Sequence, residues 1–332
     1  MNPVTISVVV PLHNEQLVLP ELLRRISAVL DAVPGGPHEM IFVDDGSADR
    51  TFEIVQDAVK MDPRISVIAL SRNFGHQAAL TAALDHASGD ATVILDGDLQ
   101  DPPESIPALI AKFQEGYDVI YAQRKRRKEG PLLKLSFYLF YRLMHGLSDT
   151  HLPLDAGDFG LISRRVVNQL RKMPEHHRYL RGMRSWVGFR QIGISIERSE
   201  RFAGESKYGF LKYLKLASDA IFSFSTIPIR AAALLGAVSV FLSGLFVLYS
   251  IIAKMVFHQS PKGFTALIVV LTFLAGTVLF FLGIIGEYVG RVYEEVKARP
   301  LYVIEKIVGN IASDRLHSPA GRPSDSNLRG QG

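Results

Sequence analysis

Two uncharged apolar runs near the C-terminus limit what this chain can fold into: Ala231 to Ile252, 22 residues, and Phe264 to Gly286, 23 residues. At about 1.5 Å per residue, a helix of either length reaches across a hydrocarbon layer of roughly 30 Å. Both are read as membrane-spanning helices, with a buried soluble hairpin as the alternative. The connecting residues 253–263 carry only Lys254 and Lys262 as charges. Lys207, Lys212, Lys215 and Arg230 precede the first run, and Arg291, Lys297, Arg299 and Lys306 follow the second. Cations collect in the cytoplasmic flanks of membrane spans, so both termini are expected in the cytoplasm. Met1 to Pro11 lacks the basic start of a signal peptide and runs straight into a strand pattern, which keeps 1–220 cytosolic.

The chain holds 332 residues, with 37 Lys+Arg against 33 Asp+Glu and no cysteine. A disulfide framework, a Cys-ligated metal site and a cysteine nucleophile are therefore excluded. Arg124 to Lys128 are five consecutive cations, followed by Leu132 to Leu147 with Phe137, Tyr138, Phe140 and Tyr141 among leucines. That stretch is too short to span and predicts an amphipathic helix, 131–147, lying on anionic lipid. The other readings of it are a core helix beside a solvated charge run and, least favoured, a nucleic-acid site. From Ser313 onward the tail has no apolar period and reads as disordered. The expected organisation is a cytosolic domain over 1–220, a two-helix membrane region over 221–290, a juxtamembrane segment over 291–312 and the tail 313–332.

Within the first part, apolar β-rich runs recur at Ile6–Val10, Met40–Val43, Ile65–Leu70, Thr92–Leu95 and Val119–Tyr121. Between them, Leu17–Leu30, Thr51–Met61, Gln77–Ala87 and Ile106–Phe113 carry apolar residues at helical spacing. Such alternation predicts an α/β fold, a mostly parallel sheet covered by helices on both faces. Ligands of such sheets bind at the carboxyl ends of the strands, and there the sequence turns polar. Pro11-Leu12-His13-Asn14-Glu15 follows the first strand, Asp44-Asp45-Gly46-Ser47 the second, and Asp96-Gly97-Asp98-Leu99-Gln100-Asp101 the fourth. No GxGxxG follows the first strand and no GxxxxGK[ST] occurs, which weighs against a dinucleotide-binding enzyme and a P-loop NTPase.

Asp44 to Ser47 reads as a strand-to-helix turn with Ser47 as cap, but capping does not need two acids. A carboxylate there can also accept from a ribose hydroxyl or a base N–H. Asp96-x-Asp98-x-Gln100 can turn two carboxylates toward one hard cation, as Mg²⁺ or Mn²⁺ sites do when they share diphosphate oxygens; the alternative is an acidic loop before a helix start. Asp158, in Ala156-Gly157-Asp158-Phe159, is either a turn acid or a carboxylate facing an acceptor, and Trp186 is read as a packing residue or an interfacial anchor, with a sugar platform as the alternative.

Taken in order, these motifs resemble family 2 glycosyltransferases of the GT-A (Rossmann-like) fold, and among them the polyprenyl-phosphate sugar transferases, which include bactoprenol glucosyltransferases and dolichol-phosphate mannose synthases. Ile6–Glu15 resembles the family's opening strand and its P-x-x-N-E turn, Asp44–Ser47 its DDGS, Leu70–Gly75 its LSRNFG and Asp96–Pro103 its D-x-D-L-Q-D-P-P. Further on, Ala156–Ile162, Arg178–Gly188, Arg201–Tyr208 and Gly286–Arg291 resemble later family segments, so that the likeness covers nearly all of 4–305. Gly160 stands where the family usually has Arg, and Gly97 where it often has Ala.

The resemblance implies that Pro11, His13, Glu15, Phe42 and Asp44 line the nucleotide's base and ribose. It puts Asp96, Gly97, Asp98 and Gln100 at the metal and diphosphate, Arg124, Arg201 and Lys207 on phosphate charge, and Asp158 toward the acceptor. It further implies a divalent cation, Mg²⁺ or Mn²⁺, a nucleotide-sugar donor and a polyprenyl phosphate acceptor in the lipid bilayer. The setting would be a bacterial inner membrane, where an inverting hexose transfer makes a lipid-linked sugar for envelope glycans. UDP-glucose is the first expectation for the donor, followed by UDP-N-acetylhexosamines, aminoarabinose derivatives and GDP-mannose. Self-association through the spans is compatible with this reading. A processive polysaccharide synthase would be expected to carry Q-x-x-R-W and more spans, whereas Ser185 separates Arg184 from Trp186 here. A membrane-anchored nucleotide-binding module without catalysis is the alternative from another class.

Overall fold

The computed structural model describes residues 3–124, 156–176, 178–197, scattered positions between 234 and 255, and 263–311. Arg201, Lys207, the expected interfacial helix 131–147, the cations 125–128 and the tail 313–332 lie outside the described residues, as does the side chain of Arg124. The chain divides into two units, one of Met1–His145, Thr150–Gly209 and Pro300–Gly332, the other of Gly146–Asp149 and Phe210–Arg299.

The first unit is built on an eight-stranded sheet in the order β7-β5-β6-β4-β1-β2-β3-β8. Its strands are β1 (Ile6–Leu12), β2 (Glu39–Asp44), β3 (Ile65–Leu70), β4 (Ala91–Ile94), β5 (Val119–Arg124), β6 (Ala156–Ser163), β7 (Gln191–Ile196) and β8 (Ile304–Val308). β1 pairs in parallel with β2 and β4, β2 with β3, and β5 with β7, while β6 runs antiparallel to β4 and β5, and β8 antiparallel to β3. β1, β2 and β3 are buried along nearly their whole length, as continuous apolar runs require.

Helices α1 (Leu19–Ala32), α2 (Thr51–Met61), α3 (His76–His86) and α4 (Ile106–Gln114) fall close to the expected spans. α1, α2 and α4 contribute to one core of the sheet, whereas α3, on the return from β3 to β4, packs on β1 and β2 outside that core. Alternate strand residues sort accordingly. Val8, Val10, Met40, Phe42 and Val93 join Leu22, Ile26 and Leu109 in one core, in which α1 and α4 take part. α5 (Arg164–Lys172) packs with α3, and α6 (Leu180–Trp186) packs on β6. The strand order reverses between β1 and β4, the place where sheets of this kind bind their ligands.

The second unit contains α7 (Phe264–Lys297), whose 34 residues extend the expected run beyond Gly286 through Glu287 and Arg291, an i,i+4 ion pair at 2.9 Å. Among the described residues one helix is long and apolar enough to cross a membrane, the stretch Phe273–Lys297 of α7, with mean hydropathy 1.8. Only scattered positions of the first apolar run are described, and those are helical.

Candidate active site

The two acids of Asp44-Asp45-Gly46-Ser47 have separate tasks. Asp44, at the end of β2, is 4% exposed; its Oδ2 accepts the Ser47 N–H at 3.3 Å, and its Oδ1 has no hydrogen-bond partner among the described residues. Burial raises its pKa, opposed in part by the Ser47 bonds. A buried acceptor without a donor costs about 1–3 kcal/mol, and a ribose hydroxyl or base N–H would remove that cost.

Asp45 is spent differently. Its carboxylate accepts the N–H of Phe74 at 2.7 Å and of Gly75 at 2.9 Å, pinning the segment after β3. Gly46 adopts φ +63°, and a Cβ there would stand 2.6 Å from the carbonyl carbon of Arg72, so this close approach admits only glycine. The His13 ring lies 3.0 Å from the Asp45 carbonyl and 3.2 Å from Asn73 Nδ2, joining the segments after β1, β2 and β3. The Glu15 N–H bonds Thr51 Oγ1 at 2.9 Å, and the Glu15 carbonyl accepts from Val18 and Leu19 as the chain enters α1. Pro11 is buried in β1, and Phe42 is fully buried in the core beneath Asp44.

Past β4 the chain turns sharply. Leu99 is 1% exposed and holds φ +57°, a left-handed conformation unusual for leucine, between Asp98 and Gln100. Its anchored side chain fixes the turn, and Asp98 Oδ1 accepts the Gln100 N–H at 3.1 Å. A Cβ on Gly97 would stand 2.8 Å from Leu12 Cδ2 and 3.3 Å from the Pro11 carbonyl, so the turn after β4 packs closely against the end of β1. Burial pushes the Asp96 carboxyl up to about 6, with His76 pulling it down and Asp158, Asp101 and Asp98 pushing it further up. A dense acidic cluster of this kind suits a divalent cation: Asp96 and Asp98 supply hard oxygen ligands whose mutual repulsion a cation would relieve. Among the described residues no three His, Cys, Asp or Glu side chains form a metal cage. Two carboxylates of this kind fit a cation that also takes substrate oxygens.

β6 brings in the other side. Ile94 of β4 pairs with Gly160 of β6, and just past that pair Asp96 and Asp158 stand 3.6 and 3.9 Å from the His76 ring. A Cβ on Gly160 would run into the Ile120 carbonyl, so the departure from Arg at this position keeps β5 and β6 in contact. Arg181, from α6, grips Asp158 in a fork, Nε to Oδ1 and Nη2 to Oδ2 at 2.6 Å each. Burial alone would raise the Asp158 pKa, but the Arg181 guanidinium outweighs it and holds the carboxyl well below the usual range. Arg184 is 3% exposed beside this pair and donates to the carbonyls of Gly157 at 2.6 Å and Asp158 at 3.3 Å. Burial pulls its guanidinium down to about 10. His76, the first residue of α3, places Nε2 3.6 Å from Asp96 Oδ1 and 3.9 Å from Asp158 Oδ2. Trp186 is 65% exposed at the end of α6.

Of the residues expected from sequence, the structure gathers His13, Asp44, Asp96, Gly97, Asp98, Gln100 and Asp158 at the ends of β1, β2, β4 and β6. The Arg124 backbone ends β5. Sequence reasoning missed Asp45, His76, Arg181 and Arg184. His76 directly follows Leu70–Gly75, and both arginines lie within Arg178–Gly188, so the segments were visible and their pairings were not.

Residues 7–171 match the family described as glycosyl transferase family 2. An uncharacterized glycosyltransferase, YkcC of Bacillus subtilis, is 44% identical over 94% of this chain and 96% of its own length. The SfII prophage-derived bactoprenol glucosyl transferase of Shigella flexneri is 39% identical over 91% of this chain and 97% of its own length. A prophage bactoprenol glucosyl transferase homolog of Escherichia coli K12 is 37% identical over 91% of this chain and 99% of its own length. With that identity sustained along nearly the whole chain, and with its polar clusters at the strand ends of a GT-A-like sheet, the protein belongs to glycosyl transferase family 2.

Proposed function

We propose that this protein transfers a hexose, first of all glucose from UDP-glucose, to a polyprenyl phosphate such as undecaprenyl phosphate at the cytoplasmic face of a bacterial inner membrane. The observation that carries the reading is the closeness of a carboxylate after β4, Asp96, to an arginine-clamped carboxylate in β6, Asp158, which stand 3.6 and 3.9 Å from the same His76 nitrogen. The names of the bactoprenol glucosyl transferase relatives support the acceptor class.

Asp44 accepts a donor from the nucleoside, with His13 and Glu15 beside it in the loop after β1. Asp96, Asp98 and Gln100 would hold a divalent cation, which when bound supplies positive charge against the diphosphate. A phosphate oxygen of the acceptor attacks the anomeric carbon. The new C–O bond forms on the face opposite the departing diphosphate, which leaves with the electron pair of the broken bond, inverting the centre. A phosphate monoester, with a second pKa of about 6, is already anionic at neutral pH. No base is required, and Asp158, its oxygens in the Arg181 fork, orients and balances charge. Arg124, Arg201 and Lys207 hold phosphate charge, with Arg as a fork and Lys as a point charge.

The membrane part of the proposal is two spans, near 231–252 and 264–286, with the interfacial helix 131–147 bringing the site to the headgroups. β8 supports an even number of crossings, because the chain rejoins the same sheet after α7. The deciding experiment incubates the purified protein and Mg²⁺ or Mn²⁺ with undecaprenyl phosphate and a panel of UDP-glucose, UDP-N-acetylhexosamines, UDP-aminoarabinose derivatives and GDP-mannose. A glucosyl lipid from UDP-glucose is expected. A different lipid-linked sugar corrects the donor, and no product from any donor rejects the transferase reading in favour of an anchored nucleotide-binding module.

A further inference from the structure

The segment after β3 enters the site with unusual constraint, and its last residue has no role in the mechanism above. Phe74 and Gly75 give their N–H groups to the Asp45 carboxylate at 2.7 and 2.9 Å, and Asp45 is 3% exposed. Gly46 removes the side chain that would otherwise keep Arg72 and Asn73 away from this turn. Gly75 then takes φ +98° and starts α3, with its carbonyl accepting from Ala78 and Ala79. α3 is anchored beyond that point by Ala79, Leu80, Ala82 and Ala83, all buried. The backbone of His76 is thus fixed from both sides, and its ring projects to where Nε2 stands 3.6 Å from Asp96 and 3.9 Å from Asp158.

Those distances exceed a hydrogen bond and leave the ring in contact with both carboxylates. Asp96 belongs to β4 and the donor side, Asp158 to β6 and the acceptor side. Apart from the β4–β6 register, His76 joins the two halves through a third element. We propose that His76, set in place by Asp45, is a positioning residue that holds the donor-side carboxylate of Asp96 and the acceptor-side carboxylate of Asp158 in register for transfer. The inference rests on the transferase reading. Its consequence is selective: the nucleoside side, at Asp44 and His13, keeps its geometry without His76, whereas alignment of sugar and acceptor does not.

The test uses the full-length protein in lipid nanodiscs, with a short-chain prenyl phosphate and the donor identified by the panel. His76→Ala is expected to lower kcat about a hundredfold, the scale on which small misplacements act, with donor KM and the thermal midpoint near wild type. His76→Gln keeps a polar side chain of similar length to fill the same contact with both carboxylates and is expected to recover most of the rate. Asp45→Asn replaces one of the two accepting oxygens and should lower kcat in the same way, and the double variant should be no worse than the poorer single one, because residues acting through one another are not additive. Should Asp45→Asn fail to fold, the Ala and Gln variants at position 76 decide. An active wild type with His76→Ala within about threefold of it, a loss seen only in donor KM, or no recovery in His76→Gln overturns the inference alone. A wild type that makes no lipid-linked sugar overturns the transferase reading, and the inference falls with it.

Discussion

Asp158 has both oxygens in the fork of Arg181, and this pairing decides how it can act. A carboxylate held so far below its ordinary range has little affinity for a proton at neutral pH, which makes it a poor general base. Replacing it with Asn leaves Arg181 and the buried Arg184 beside a neutral side chain, so the rate should fall through lost orientation and charge balance. The residual rate should stay flat as pH rises, since the acceptor phosphate is already ionised. Turnover of Asp158→Asn over a pH series with saturating donor checks this, and a climb toward wild type at alkaline pH would restore Asp158 as a base. Asp98→Asn tests the other pole. It keeps volume and removes one charge from the cluster meant to offset a diphosphate, so turnover should drop by orders of magnitude with the fold intact. Retention of more than about a tenth of the activity, a cost of only about 1.4 kcal/mol, would reject the cation assignment.

At the scale of elements, the unexpected piece is β8. It lies antiparallel on the edge of β3, and just before it the Val303 carbonyl accepts the Ser71 N–H at 2.9 Å while the Tyr302 hydroxyl donates to Asp85 Oδ2 at 2.8 Å. Burial raises the pKa of both partners; the hydrogen bond adds to that at Tyr302, keeping the phenol protonated as donor, and opposes it at Asp85, where it favours the accepting carboxylate. Tyr302→Phe removes the donor and should cost about 1–3 kcal/mol, read as a drop of roughly 2–4 °C in thermal midpoint per kcal/mol for a domain of this size. An unchanged midpoint would show that β8 pairing alone holds this segment. β1 to β5 were legible beforehand because each is an apolar run between helical patterns, whereas the parallel β7 and the antiparallel β6 were not among the expected runs. β8 was not, because Ile304-Glu305-Lys306-Ile307-Val308 is short, charged and distant from its partner β3 in sequence. The same physics separates the site residues that were visible from those that were not. Asp44, Asp96 and Asp98 stand directly after their strands. The Asp158–Arg181 fork and the His76 bridge depend on the Ile94–Gly160 register, which no local pattern encodes.

For the whole molecule, connectivity and charge bear independently on topology. The sheet unit releases the chain by Gly209 and takes it back at Pro300, so what lies between must return to the side on which it began. If α7 crosses a bilayer, its start at Phe264 is on the far side, and the chain must have crossed once before, for which 231–252 is the available apolar run. The distribution of cations asks for the same arrangement, with Lys254 and Lys262 the only charges between the runs and clusters outside them. Gln259, in the connecting residues, should therefore face the periplasmic side while the sheet unit stays in the cytoplasm. The chain has no cysteine, which makes Gln259→Cys a single, unambiguous reporter. In spheroplasts a membrane-impermeant thiol reagent should label it from outside, and Ser313→Cys, in the C-terminal tail, should be labelled only after the inner membrane is opened. The reverse pattern would invert the orientation. Labelling of both positions only after opening would place 259 and 313 on one side, and would leave α7 and the first run as helices that do not cross.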